Sequence, residues 1–344
     1  MSGLSMDEIE NGLKSLLRRP HVVILGAGAS VAAIPNGDKH GRKISVMSGF
    51  IDRLGMRDIL SGTNVKSENL EDVYSELSEH SEYAEQRLQL EDTIREYFTH
   101  LRLPDKPTIY DLLLLSLKEK DVVASFNWDP LLMQAFLRCQ RITEKLPRIL
   151  FLHGNVALRL CMMDKNIYPA HYEVCPICKD KLVPSRLLYP IKHKNYNNDP
   201  FIRDQWRILL EYLKVAYIVT IFGYSAPKTD VEAIQLFKNA WGDNQKRLFE
   251  QIEIIDIKSH DSLVKKWEDF IYVDHVQTVT SFGESILARS PRRTTEDLYL
   301  EHIKGEWFDY DNQLTLDMDW SQLKSHFEKI LREEENFQLE GNAK

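Results

Sequence analysis

The sequence has no long apolar run, little cysteine and no excess of positive charge. None of its apolar stretches approaches the roughly 18 to 20 residues that span a bilayer, so no transmembrane helix is predicted. Lys and Arg number 44 against 52 Asp and Glu, and the net charge of -8 disfavours a surface built for nucleic-acid backbones. Four cysteines in 344 residues do not make a disulfide scaffold.

The amino-terminal segment does not resemble a secretory signal. Residues 1–19 are amphipathic, and their first turn is acidic, which is not the pattern of a signal peptide. We therefore expect a cytoplasmic protein, with neither a membrane nor nucleic acid as a direct partner. With 43% hydrophobic residues, the chain is long enough for one large domain and a smaller lobe.

Short, strongly apolar segments alternate with longer helical ones along the chain. Strands are predicted at residues 21–25, 121–126, 148–152, 216–222 and 252–257. Helices are predicted at 107–120, with Thr108 as a cap, and at 199–215. This alternation predicts an α/β fold, with a Rossmann-like parallel sheet and helices on both faces.

Two insertions and an extension complete the predicted organisation. An acidic helical lobe occupies about residues 48–106, between the first two strands. A small module that contains cysteines occupies about residues 156–190. Residues 1–290 are predicted to form the main domain, and residues 291–344 a C-terminal helical extension.

Small residues follow the first predicted strand in the stretch GAGAS, from Gly26 to Ser30. Such residues let backbone amides approach a phosphate at the start of a helix, although a tight structural turn is the alternative. The dinucleotide fingerprint G-x-G-x-x-G needs glycine where the chain has Val31. The fingerprint also needs an Asp or Glu about 20 residues after the glycines to bind a ribose, and no convincing candidate lies there. The sequence therefore disfavours a dinucleotide-binding domain of the hydride-transfer type.

Polar residues follow three later strands, at the edge where parallel sheets bind ligands. Asn127 and Asp129 alternate in SFNWDPLL and share a face if the strand continues; an Asn/Asp turn is the alternative. His153 in LHGNV is a candidate general base, and a structural histidine is the alternative. Gly223 and Ser225 follow the fourth strand in GYSAPKTD.

The remaining candidate is a metal site in the cysteine module. Cys175 and Cys178 keep the C-x2-C spacing of a zinc knuckle, whereas Cys161 is followed three residues later by Asp164. These four residues, or the same set with His171 in place of Asp164, would supply four ligands to zinc. A vestigial knuckle with free thiols is the alternative.

Taken in order, GAGAS, FNWD, His-Gly, the cysteine pair and FGYSAP resemble the sirtuin family, over about residues 20–257. The stretches NWDPLL and GYSAPKTD look closer to bacterial sirtuin-like domains of antiphage defence, which commonly destroy NAD. Three features depart from protein deacylases. One is the zinc module, in which Cys161 is followed by Asp164 and only Cys175 and Cys178 keep the C-x2-C pair. The segment after Pro35, NGDKHGRKI, lacks their aromatic-Arg pair, and LLYPIKHKNYNNDP replaces their peptide-binding strand.

The resemblance implies a role for each candidate residue. Asn127 would orient a water or the ribose hydroxyls, His153 would accept a proton, and Asp129 would fix the ribose or the loop. The cofactor-binding set that it implies is Gly26, Ala27, Gly28, Ser30, Ile34, Pro35, Gly223, Ser225 and Asp256. Of these, Asp256 would approach the adenosine end, although a turn residue is the alternative.

The function implied by the resemblance is an NAD glycohydrolase that releases nicotinamide and ADP-ribose; internal cyclisation to cyclic ADP-ribose is the alternative outcome for the product. The cysteine spacing adds a candidate structural zinc at Cys161, Cys175 and Cys178. An NAD-dependent protein deacylase and a noncatalytic NAD or ADP-ribose sensor are the alternatives. A hydrolase that is always active would kill its own cell. We therefore expect control through homo-oligomerisation or a partner defence protein such as an ATPase, an Argonaute-like protein or a phage sensor.

Overall fold

A parallel sheet of six strands forms the centre of the protein. The computed structural model describes residues 12, 15–16, 18–44, 49–189, 196, 199–225, 230–242, 247, 250–268, 270, 275–304 and 312–342. Its strands are β1 (His21–Leu25), β2 (Val122–Ser125), β3 (Arg148–Phe151), β4 (Leu158–Leu160), β5 (Ile167–Pro169), β6 (Val183–Pro184), β7 (Ile218–Phe222), β8 (Gln251–Ile255) and β9 (Val276–Val279). The main sheet has the order β3-β2-β1-β7-β8-β9, and all its neighbouring strands run parallel.

The helices surround this sheet. They are α1 (Ala27–Ala33), α2 (Phe50–Arg53), α3 (Leu70–Glu79), α4 (Ala84–Thr99), α5 (Ile109–Leu115), α6 (Leu131–Cys139), α7 (Pro200–Val215), α8 (Val231–Trp241), α9 (His260–Trp267), α10 (Ile286–Arg289), α11 (Thr294–Lys304) and α12 (Trp320–Asn342). The predicted cap Thr108 is confirmed, because it forms a capping box with Asp111 at the start of α5. Among the described residues, no helix has the length and apolar character needed to cross a bilayer.

Alternate side chains of each strand enter cores on opposite faces of the sheet. On β1, Val23 and Leu25 belong to a core built with α1, α5 and α6. Val22 and Ile24 point the other way and pack with α7, α8 and α9. Because both faces are covered, the strands are apolar throughout, as buried parallel strands are. The predicted parallel sheet with helices on both faces is confirmed.

The strand order places a topological switch point between β1 and β7. The chain proceeds from β1 outward to β2 and β3, then returns to β7 on the other side of β1. The loops that leave the carboxyl ends of β1 and β7 therefore diverge to opposite faces, and the crevice between such loops is where open α/β sheets bind ligands. The candidate residues that follow β1, β2, β3 and β7 all lie at this edge.

Each of the five predicted strands is present, with ends within two residues of the prediction. The predicted helical lobe contains α3 and α4, and the predicted small module contains an antiparallel sheet in the order β5-β4-β6. In the C-terminal helices, Leu323 and Phe327 of α12 belong to the same core as Val23. The boundaries of the domains stay predictions.

A chain of buried polar groups crosses the sheet beneath the C-terminal helices. The imidazole of His21 lies between the hydroxyls of Thr294 (2.9 Å) and Thr220 (2.8 Å). Thr220 Oγ1 also donates to Glu253 Oε2 (3.1 Å), and the amide of Ile286 donates to Glu253 Oε1 (2.8 Å). Burial lowers the pKa of His21 to about 3 and raises the pKa of Glu253 to about 7.

We predict that replacing Glu253 with Gln removes a loss of stability that the wild type undergoes as the pH rises from 4.5 to about 7. The raised pKa of Glu253, about 7 against 4.5 for the free side chain, stabilises the fold at low pH, and this contribution is lost as pH rises through about 7. Relative to wild type, the Gln variant should gain about 3 kcal/mol of unfolding free energy between about pH 4 and about pH 8. Denaturant titrations across this range measure the difference, and parallel curves would contradict the prediction.

Candidate active site

A buried hydrogen-bond cluster joins the loops that follow β1 and β2. Ser30 Oγ donates to Asp129 Oδ2 (2.6 Å) and accepts from Asn127 Nδ2 (2.9 Å). The hydroxyl of Tyr110 lies 2.7 Å from Ser30 Oγ. Asn127 Nδ2 also donates to the carbonyl oxygen of Gly26 (2.8 Å). The structure therefore brings Asn127 and Asp129 together, and Ser30 is the group that joins them.

The carboxylate of Asp129 has partners for both oxygens. Besides the bond from Ser30, Oδ1 accepts the amide of Leu131 (3.0 Å) at the start of α6. Burial raises the pKa of Asp129 above its usual range, while these two hydrogen bonds act in the opposite direction. The turn that the sequence offered as the alternative is present, because Asp129 accepts the amide of Leu131. The strand does not continue as far as Asn127, since β2 ends at Ser125, and Asn127 and Asp129 meet through Ser30.

His153 occupies a neighbouring buried position at the carboxyl end of β3. Its Nε2 lies 3.9 Å from Asp230 Oδ1, and the hydroxyl of Tyr224 donates to Asp230 Oδ2 (2.9 Å). The ring of Phe126 meets the imidazole edge-on, with centroids 4.8 Å apart, and stacks on Tyr224 at 4.2 Å. Because Phe126 precedes Asn127 in the chain, the histidine and the Ser30 cluster are adjacent.

The loop around His153 is fixed by its two following residues. Gly154 has φ of +76°, and a Cβ at this position would lie 1.7 Å from the carbonyl oxygen of Arg186, so only glycine fits. Asn155 Nδ2 donates to the carbonyl oxygens of Asn127 (3.1 Å) and Asp129 (2.7 Å). Asn155 therefore connects the loop after β3 directly to the loop after β2.

The glycines after β1 and β7 pack against each other. The amide of Gly26 donates to the carbonyl oxygen of Phe222 (3.0 Å), and the amide of Gly28 donates to that of Gly223 (2.9 Å). A Cβ on Gly28 would lie 2.8 Å from the Cα of Gly223, so the close approach itself requires glycine. In this conformation, the amides of Gly26 and Gly28 are engaged within the protein and not directed at a ligand.

The other predicted cofactor residues differ in accessibility. Ala27 is partly exposed and Ser225 is exposed, so both can contact a ligand at the switch point. Ile34 is buried in the core, whereas Pro35 is exposed. Asp256 closes a turn at the end of β8, where its Oδ1 accepts the amide of Lys258 (3.1 Å). The binding roles of these residues stay predictions.

Five residues of this edge were missed by sequence reasoning, namely Tyr110, Phe126, Asn155, Tyr224 and Asp230. Asn155 and Asp230 lie within LHGNV and GYSAPKTD, so the polar composition of those stretches was a usable signal. Tyr110 had none, because it lies on α5, 80 residues from Ser30, and only the tertiary fold brings the two hydroxyls together.

Three thiols and one carboxylate converge in the small module. Ligand atoms of Cys161, Asp164, Cys175 and Cys178 all lie within 4.8 Å of one another, with Cys161 Sγ 3.3 Å from Cys178 Sγ. Asp164, and not His171, completes this group. The predicted metal residues Cys161, Cys175 and Cys178 are therefore brought together, with the carboxylate as the fourth ligand.

The two halves of this cluster have the same backbone geometry. The amides of Asp164 and Cys178 donate to the first sulfur of their own pair, each at 3.4 Å. The next residues, Lys165 and Lys179, both adopt the left-handed conformation, with φ of 59° and 67°. These paired turns and the tetrad of donors fit a zinc ion, which would cross-link the module when bound.

No protein-family model matches the chain, and no curated protein matches it. Among solved structures, a Sir2 homologue in complex with NAD has 14% identity and a TM-score of 0.42, covering 89% of this chain and 96% of that one. Sir2 bound to an acetylated peptide has 15% identity and a TM-score of 0.36, covering 86% and 98%. At values this low, the fold assignment rests on the strand order described above.

We predict that the purified chain contains about one zinc ion, as a tetrahedral site with four protein ligands does. Replacing Cys175 with Ser removes a thiolate and should abolish zinc retention through dialysis against a chelator, whereas replacing Asp164 with Cys should preserve it. Elemental analysis of the dialysed proteins measures the zinc content. His171→Ala is the matched control and should retain zinc like wild type; its loss there would show that the ligand set is wrong.

Proposed function

We propose that this protein is an NAD glycohydrolase, which cleaves NAD to nicotinamide and ADP-ribose. One observation carries the proposal. At the carboxyl edge of the sheet, beside the switch point, Ser30, Asn127 and Asp129 form a single hydrogen-bonded cluster, with His153 adjacent in the loop that follows β3. The order of the motifs that supply these residues resembles the sirtuin family, for which NAD is a substrate.

The proposed binding mode follows from the switch point. NAD would lie across the carboxyl ends of β1 and β7, with its pyrophosphate over the loops that contain Ala27 and Ser225. The glycines of both loops let the two backbones lie close together. Ala27 lies in the first turn of α1, where the helix favours an anionic group.

In the proposed reaction, the carboxylate of Asp129 stabilises the developing positive charge, and the imidazole of His153 accepts a proton. Nicotinamide leaves NAD with the electrons of its bond to ribose, so positive charge develops on the ribose ring. The carboxylate of Asp129 would stabilise that charge. A water held by Asn127 would attack the ribose carbon while His153 accepts its proton. The nearby carboxylate of Asp230 would then stabilise the imidazolium.

The candidate side chains are buried, which supports the interpretation that this conformation is an inactive, resting state. The exposed fractions of Asn127, Asp129 and His153 are 9%, 4% and 5%, so NAD cannot reach all three without movement of the loops. We infer that a trigger opens the site. In the proposed biological role, the protein is a cytoplasmic antiphage effector, which depletes NAD when homo-oligomerisation or a partner defence protein activates it.

The hydrogen bonds that hold the buried Asn127 side chain support a second candidate function. Asn127 Nδ2 is already engaged by Gly26 and Ser30, and an amide fixed in this way is suited to shaping a pocket as well as to orienting a water. The second candidate is therefore a noncatalytic sensor of NAD or ADP-ribose, and it differs from the first in releasing no nicotinamide.

We predict that the purified chain, incubated with NAD at concentrations that drive its self-assembly, which is the proposed trigger, releases nicotinamide and ADP-ribose in equal amounts without any acylated peptide. His153→Ala should reduce the rate by about 10²- to 10⁴-fold, the usual contribution of a general base. Asn127→Ala should also be strongly impaired. Chromatography with mass balance measures the products, and the exposed His171→Ala is the matched control.

Each alternative has a distinct outcome in the same assay. Turnover that requires an acetylated peptide would identify a deacylase and contradict the proposal. For the sensor, NAD would raise the melting temperature of the wild-type chain while no nicotinamide is released. For the hydrolase, nicotinamide release from wild type and its loss in both variants are required.

A further inference from the structure

The small module has the largest group of exposed apolar side chains in the described part of the chain. Of thirteen large hydrophobic residues that are exposed there, seven lie between residues 162 and 183. Met162, Met163 and Ile177 are the most exposed of these, at 68%, 70% and 68%. Scattered single hydrophobics are normal on a surface, but a cluster of this kind marks an interaction site.

These three side chains lie on the two turns that carry the candidate zinc ligands. Met162 and Met163 separate Cys161 from Asp164, and Ile177 separates Cys175 from Cys178. Because the four candidate ligand atoms lie within 4.8 Å of one another, the two turns are side by side, and each turn exposes apolar side chains. We call Met162, Met163 and Ile177, with the adjacent Lys165 and Lys179, the knuckle tip.

The charge around the knuckle tip differs in sign from that of the chain as a whole. Residues 159–186 contain five Lys and Arg against three Asp and Glu, although the net charge of the chain is -8. Lys165 and Lys179 follow the last ligand of each turn, and both are exposed. A partner for the knuckle tip should therefore be acidic, with an apolar centre.

A surface of that description exists on α4 of the helical lobe. Residues 68–96 contain ten Asp and Glu against two Arg. Glu85, Leu88, Asp92 and Glu96 are exposed at helical spacing along one side of α4. We call these four residues the acidic stripe. Leu88 is 58% exposed, and it supplies an apolar contact between the carboxylates.

We propose that the knuckle tip of one copy docks on the acidic stripe of a second copy. Both surfaces are exposed in the same chain, so each copy can donate a tip and accept one. The two surfaces differ, so the contact is head-to-tail, and repetition yields a ring or a filament. This inference locates the assembly proposed above on named residues, and it does not depend on whether NAD is cleaved.

The test is the solution mass of the full chain, measured without NAD. The average mass of the wild-type protein should rise above the monomer mass of 40.2 kDa as its concentration is raised from about 1 to 100 μM. Contacts of moderate affinity form in this range of concentration. Light scattering after gel filtration measures the mass. Two tip variants, Met162→Ser with Ile177→Ser and Lys165→Glu with Lys179→Glu, should remain monomeric. So should the stripe variant Glu85→Lys with Asp92→Lys.

A mixing experiment identifies the contact itself. The charge-reversed tip variant and the charge-reversed stripe variant are each expected to be monomeric, but their equimolar mixture should regain high mass, because each tip then has a stripe of opposite charge. The control is Ile257→Ser, which removes an apolar side chain that is 90% exposed elsewhere and should leave the mass unchanged. Circular dichroism and zinc content verify that each variant is folded.

Three outcomes would overturn the proposal. They are a monomeric wild type throughout the concentration range, a tip variant that assembles like wild type, and a mixture that stays monomeric. None of these mass measurements depends on NAD cleavage. A failure of the proposed assembly can therefore be distinguished from a failure of the proposed function.

Discussion

The hydrogen bond from the amide of Gly28 to the carbonyl of Gly223 sets the geometry on which the candidate site depends. It joins the loops after β1 and β7 so closely that a Cβ on either glycine would approach backbone atoms within 3 Å. This contact fixes the start of α1, and with it the position of Ser30. Ser30 in turn joins Asn127 to Asp129. A side chain at Gly28 would thus disturb residues that it never touches.

The same contact changes the meaning of the glycine pattern. GAGAS predicts either a loop whose amides face a phosphate or a tight structural turn, and packing between the two loops by itself requires Gly26 and Gly28. Glycine after a strand therefore indicates close backbone approach, and the approaching group here is the neighbouring loop. The switch point and the buried polar cluster therefore support the proposed nucleotide site more than the glycines do.

The sequence was sufficient for the central sheet because strands buried on both faces leave continuous apolar runs, such as HVVIL at β1. It was insufficient for β9, whose sequence VQTV is half polar and partly exposed at the edge of the sheet. The strands of the small sheet were also missed. With two or three residues each, they are too short for any periodicity to be visible.

Site residues that lie close together in the sequence were predictable, whereas those that the fold brings together from distant segments were not. Asn127 and Asp129 were found because both lie just beyond one strand, and the cysteine spacing supplied the metal cluster except for the choice between Asp164 and His171. Spacing alone does not separate those two, since both lie between Cys161 and Cys175. Tyr110 depends on a contact between distant elements, which no local pattern encodes.

The polar groups of the Ser30 cluster satisfy one another, and this bears on how a hydrolase of this design would be controlled. To admit NAD, Asn127 has to exchange at least one of its bonds to Gly26 or Ser30 for a bond to substrate or water. Leaving a buried partner unsatisfied costs about 1–3 kcal/mol. Such a cost would favour the closed site by about 5- to 150-fold, a range that ligand or partner binding commonly supplies. The interactions that build the site would therefore also keep it closed until another binding event opposes them.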